Sequence, residues 1–185
     1  MNEKEKYLSE NEEEEVLTIT DENGNTLRIR FIKSFTAKLI LAPEETKQYY
    51  EELKNEALSY RKVSSRVSWN YDAFSTSKVP LIKFAIRGKT LALYFALNAD
   101  DYIDSKYKVE KMKSKKHLEN PCLYRIKNKR RLAYAKELIA DCFKKHGLVK
   151  GEERHNSYRF PRETTKSLIE KGLIKESKTQ IKSAK

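Results

Sequence analysis

At 185 residues, with only five Gly and four Pro, the chain is long enough for a single core of roughly 120–150 residues without disulfides or metal. Eleven Tyr and seven Phe exclude a wholly disordered or low-complexity chain, although 36% of the residues are charged. The net charge of +12 excludes an acidic protein and directs attention to anionic partners.

That charge is unevenly spread. Residues 1–15 carry seven Glu against two Lys, whereas residues 106–150 hold fifteen Lys or Arg against four Asp or Glu. A local excess of cations attracts polyanions by releasing condensed counterions, which a high average pI alone does not establish. No run approaches the roughly 18 apolar residues of a bilayer span. The acidic start has no apolar segment of the kind that targets secretion, so a cytoplasmic location and no membrane contact are expected.

Residues 1–15 read as a disordered acidic tail. A hairpin follows, with strands at 16–20 and 27–32 about a turn in which Asn23-Gly24 supplies positive φ. Pro43-Glu44-Glu45 opens a helix over 43–59, because proline loses no intrahelical bond there and early carboxylates complement the dipole. Its apolar stripe is Tyr49, Leu53, Ala57 and Tyr60. Strands are predicted next: one with Val67, Trp69 and Tyr71 inward, one with Ile82, Phe84 and Ile86 inward. A third, over 90–97, is apolar on both faces and therefore central.

A lysine-rich stretch with a short strand or turn at 107–109 leads to an alternating strand over 122–127. Asn128 then caps a helix over 129–146, which Gly147 closes. Residues 151–185 read as a basic extension with a short helix over 161–171, so the domain proper spans 16–150. The fold expected is α+β: one antiparallel sheet of about five strands with two main helices packed on one face.

The most informative anomaly lies at Lys127, Lys129, Arg130 and Arg131, which surround the predicted helix start. The macrodipole already places positive charge at that end, so these cations oppose helix stability. The same end is suited to an anion. Arg66, Lys83, Arg87, Lys89, Arg125 and Lys127 fall opposite the core-facing strand positions, where Tyr94 and Tyr124 would interleave aromatics for stacking. The alternative is a solvated surface whose cations pair with acids elsewhere or guard sheet edges. Trp69 falls with the core.

Catalytic and metal signatures are missing. His117, His146 and His155 lack ligand spacing, Cys122 and Cys142 form no CxxC motif and read as buried thiols, and no nucleotide-binding loop or hydrolase elbow occurs. Asp100, Asp101 and Asp104 read as a solvated turn rather than a divalent-ion site. An enzyme would need three or more carboxylates or histidines converging in one pocket.

The runs SFTAKLI at 34–40, IRGKTL at 86–91, YKVE at 107–110, PCLYRIKN at 121–128 and LIEKGLI at 168–174 carry a resemblance. Over about residues 27–175 the chain resembles an uncharacterised bacterial domain that occurs singly or in tandem within larger proteins of gut-type Gram-positive bacteria. More distantly, residues 89–145 look like other small α+β domains of unknown function. The resemblance implies a compact α+β fold and carries no activity, so no functional residue follows from it.

The expectation is thus a non-catalytic binding module without cofactor or metal, contacting nucleic acid or another polyanion through Arg87, Arg125, Lys127, Lys129, Arg130 and Arg131. The alternative is a protein–protein module with an acidic partner, or one whose own acidic N-terminal tail covers the basic face. An uncharacterised enzyme ranks below both.

Overall fold

The computed structural model describes residues 15–20 and 24–181. The expected acidic tail therefore lies outside the described residues, except for the backbone of Glu15, and so does Asn23 of the first turn. β1 (Glu15–Thr20) and β2 (Thr26–Lys33) pair antiparallel as the hairpin requires, with Gly24 at φ 80°.

The chain then turns sooner than its pattern suggests. Ser34 accepts the Ala37 N–H at 3.1 Å and caps a seven-residue helix, α1 (Phe35–Leu41), which buries Phe35, Ala37, Leu39 and Ile40. Pro43 precedes α2 (Glu44–Leu58), whose face of Tyr49, Tyr50, Leu53 and Ala57 is buried.

β3 (Ser64–Val67), β4 (Asp72–Thr76), β5 (Val79–Arg87) and β6 (Thr90–Phe95) form an antiparallel meander. The single strand expected around 66–71 is thus two strands. Ser68 ends the first by bonding the Tyr71 carbonyl through both its amide (2.8 Å) and its hydroxyl (2.9 Å). Trp69 consequently sits in a turn, half-buried beneath the Lys175 ammonium at 4.5 Å, and does not belong to the core.

Of the strand or turn expected at 107–109, Tyr107 takes the turn, and the short strand β7 (Glu110–Lys111) follows it. β8 (Cys122–Ile126) pairs with it on one side and with β6 on the other. Asn128 accepts the Arg131 N–H at 2.9 Å and caps α3 (Lys129–Lys145), and Gly147 follows it at φ 72°. The C-terminal segment forms α4 (Thr165–Glu170) and β9 (Ile174–Ile181). β9 adds to β2, so residues expected as a loose basic tail complete a sheet.

The class is α+β, but the single five-stranded sheet is replaced by two antiparallel sheets. One has six strands in the order β3-β4-β5-β6-β8-β7, the other three in the order β1-β2-β9. The expected packing of two helices is also too simple. The main core joins the inner face of the large sheet to α1, α2 and α3 through Phe35, Leu53, Phe84, Leu93, Leu138 and Phe143. A second, small core of Ala37, Ile40, Leu168 and Ile174 holds α1, α4 and β9 together. Burying a side chain such as Phe84 contributes about 1.5–3 kcal/mol, and both faces of β6 are buried, which makes it the centre of the molecule.

Candidate polyanion interface

Register decides which cations meet. Arg87 pairs with Thr90 across the β5–β6 hairpin, and Leu91 pairs with Ile126. The hairpin turn and the junction between β8 and α3 therefore lie at one end of the large sheet. Arg87 and Lys89 enter that end from the hairpin; Lys127, Lys129, Arg130 and Arg131 enter it from the junction. The turn is anchored, since the Lys89 carbonyl accepts the Thr46 hydroxyl of α2 at 2.8 Å.

The six expected contact residues divide into two groups. Arg125 lies 3.1 Å from the Glu110 carboxylate. Arg131 donates to the Arg125 carbonyl at 3.1 Å and places its guanidinium 5.1 Å from the Tyr124 ring centre. Burial raises the Tyr124 hydroxyl's pKa, and the Arg131 charge partly opposes that rise. Arg87 donates through Nε to the Tyr94 hydroxyl at 3.1 Å. These three arginines brace the sheet as well as carry charge.

Lys127, Lys129 and Arg130 are exposed, and no carboxylate among the described residues lies within ion-pair distance of them. Elsewhere on α3 two of the three lysines are matched among the described residues, and Lys144, at the end that favours a cation, is not. Lys136 meets Glu52 at 3.2 Å, and Lys145 meets the Tyr102 hydroxyl at 2.7 Å and Asp141 at 3.9 Å. Three cations at the dipole's positive end thus remain open to solvent.

The cationic plane expected on the strands needs correction. Arg66, Ala73, Lys83, Tyr94 and Leu123 do share one row of the outer face, with Arg87 and Arg125 on the same face. That face is partly roofed. His117, from a 3-10 turn at Lys115–His117, stacks on Tyr94 at 4.4 Å with the rings 4° from parallel. Tyr94 is 3% exposed, and Tyr124 points into the main core at 1%. Neither ring is available to stack a base.

Among the described residues, both cysteines are buried, and His146 and His155 have partners. Burial pushes the Cys122 and Cys142 thiols up to about 12, which removes the thiolate that a nucleophile requires. His146 Nδ1 lies 2.8 Å from the Cys142 carbonyl, and His155 is exposed beside Glu153 at 3.7 Å. A surface recess does bring Glu52, Glu56, Glu153 and His155 together. Each carboxylate there has a cation, however: Lys136 for Glu52, Lys150 for Glu56 at 2.8 Å, and His155 itself for Glu153 when protonated. Among the described residues no His, Cys, Asp and Glu cluster is arranged to hold a metal ion. Asp100 pairs with Lys111 at 2.5 Å and Asp101 accepts from Asn98 at 3.1 Å.

One constellation escaped the sequence reading. Asp72 is completely buried and accepts from Lys54 Nζ at 2.8 Å, Tyr50 Oη at 2.9 Å and Ser65 Oγ at 2.6 Å. The Tyr50–Lys54 spacing of one helical turn is visible in the sequence; their partner, on another element, is not. The network is saturated, and it ties α2 to β3 and β4. Among the described residues no helix is long and apolar enough to cross a membrane. Compared with protein-family models, curated proteins and solved structures, the chain matches none of them.

Proposed function

We propose that the chain is a non-catalytic module that binds the phosphate backbone of nucleic acid through the end of its large sheet. The observation that supports this reading is the contrast on α3: Lys127, Lys129 and Arg130 stand without acids at the end where the dipole repels them, while Lys136 and Lys145 are matched and the unmatched Lys144 lies at the end that favours a cation. Cations kept at the destabilising end of a helix and left unpaired are explained by an anion that arrives from outside. With Tyr94 and Tyr124 unavailable for stacking, the contacts run to phosphates, and affinity depends on charge density rather than on sequence.

Fluorescence-labelled duplex and single-stranded DNA and RNA, titrated with the full chain at about 50 mM salt, test this. Binding that ignores sequence and favours the denser charge of a duplex is expected. Absence of binding to all four rejects the reading. The acidic N-terminal segment supports a competing use of the same surface, because its seven Glu complement the cations. Deleting residues 1–15 then tightens polyanion binding, whereas an independent surface leaves it unchanged.

A further inference from the structure

The small sheet β1-β2-β9 has one apolar face, and that face is covered at one end only. Directly paired residues share a face, so Leu17 and Ile19 of β1 lie beside Ile29 and Leu27 of β2. On the same face, Ile29 and Phe31 lie beside Lys178 and Glu176 of β9. Phe31 and Ile174, also on this face, pack with α1 and α4 in the small core. Beyond them the cover stops. Leu17 and Ile19 are 47% and 44% exposed among the described residues, and Leu27 is half-buried.

An antiparallel sheet buries one face and solvates the other, and three strands need the buried face for stability. The opposite face here interleaves its apolar residues with Thr18, Arg28, Arg30 and Thr179, a pattern suited to water. The first face instead continues the small core outward as a contiguous apolar row, which marks a contact surface. Charge decides the kind of partner. Lys178 and Glu176 are both exposed and stand two positions apart on β9, beside that row. One cation and one anion next to an apolar centre give a polyanion or a polycation no net attraction. They complement themselves, because a two-fold axis lets the cation of each copy meet the anion of the other.

We propose that this face binds a second copy of the chain. The row Leu17, Ile19, Leu27 and Ile29 packs against its equivalent, and Lys178 pairs with Glu176 of the other copy. The inference does not rest on the polyanion reading, because Lys127, Lys129 and Arg130 belong to the end of the large sheet and this face to the small one.

Sedimentation equilibrium of the full chain from about 1 µM to about 200 µM tests this, and a monomer–dimer equilibrium is expected. Leu17→Lys weakens it at least about tenfold, because a charge replaces an apolar contact in both copies. Lys178→Glu sets like charges together and weakens it several-fold, and adding Glu176→Lys to the same chain restores it. That restoration is particular to self-pairing, since any other partner keeps its original charges. Circular dichroism of each variant reports whether the fold survives. If Leu17→Lys does not fold, the charge exchange on β9 decides alone. A chain that stays monomeric over the whole range overturns the proposal, as does an exchanged variant no tighter than Lys178→Glu. Growth past the dimer assigns the contact to open β1 edges and overturns it too. So does a dimer that forms only after residues 1–14 are deleted, which gives the face to the chain's own N-terminal segment.

Discussion

The first turn of α3 and the middle of α2 use the same residue type in opposite ways. Lys54 on α2 is sunk beside Asp72, Tyr50 and Ser65, with its charge answered at 2.8 Å. Lys129 and Arg130 on α3 face water at the helix end where the dipole repels them. A lysine that serves the fold brings its counter-ion with it. A lysine that weakens the fold and has no counter-ion points outside the molecule for its partner.

The comparison breaks most visibly at Asp72. Asp72→Asn leaves Lys54 buried without its acid, and a loss of about 3–5 kcal/mol in urea unfolding is expected. Adding Lys54→Met to that variant restores part of the loss. A loss below about 1 kcal/mol shows that Lys54 escapes to solvent. Arg131→Ala comes next. It removes the stacking on Tyr124 and the bond to the Arg125 carbonyl, a cost of about 1–2 kcal/mol. Its neighbour Arg130→Ala, by contrast, costs nothing.

Smaller effects sharpen the contrast between the two ends of α3. Lys129→Ala and Arg130→Ala each raise stability by about 0.3–0.5 kcal/mol at low salt, while Lys144→Ala and Lys145→Ala lower it by a similar amount. Thermal melts of the four variants read the sign, and added salt shrinks all four differences. The smallest effect is in acid. Hydrogen bonds from Lys106 and Tyr107 hold the Glu137 carboxyl below its ordinary value of 4.5, and bonds from Lys171 and Ser167 do the same for Glu163. Their folded pKa is depressed, so their stabilisation is complete above the ordinary value and is lost as pH falls through the folded one. Glu137→Gln and Glu163→Gln therefore melt more nearly alike to wild type below pH 4, roughly, than at neutral pH.

Local rules were legible in the sequence and remote ones were not. The alternation of Ile82, Phe84 and Ile86, the two-faced burial of β6, the Asn128 cap and the Gly147 stop all depend on neighbours within a few residues, and the structure places them accordingly. The split of β3 from β4 was missed because Val67, Trp69 and Tyr71 keep their alternation through a turn that Ser68 makes. β9 was missed because Lys175, Lys178 and Thr179 mimic a solvated tail, and only pairing with β2 orders them. At the candidate site, the open cations were readable from the helix start. The roofing of Tyr94 by His117, 23 positions along the chain, and the Glu110–Arg125 pair arise only from tertiary placement.

The most direct measurement compares the salt dependence of duplex binding by wild type and by the triple variant Lys127→Ala, Lys129→Ala, Arg130→Ala, with melting temperatures taken alongside. Three lost phosphate contacts reduce the slope of log affinity against log salt by about 2.7, while the variant melts no lower than wild type. Equal slopes for the two proteins, or a slope that changes only because the variant unfolds, contradict the account.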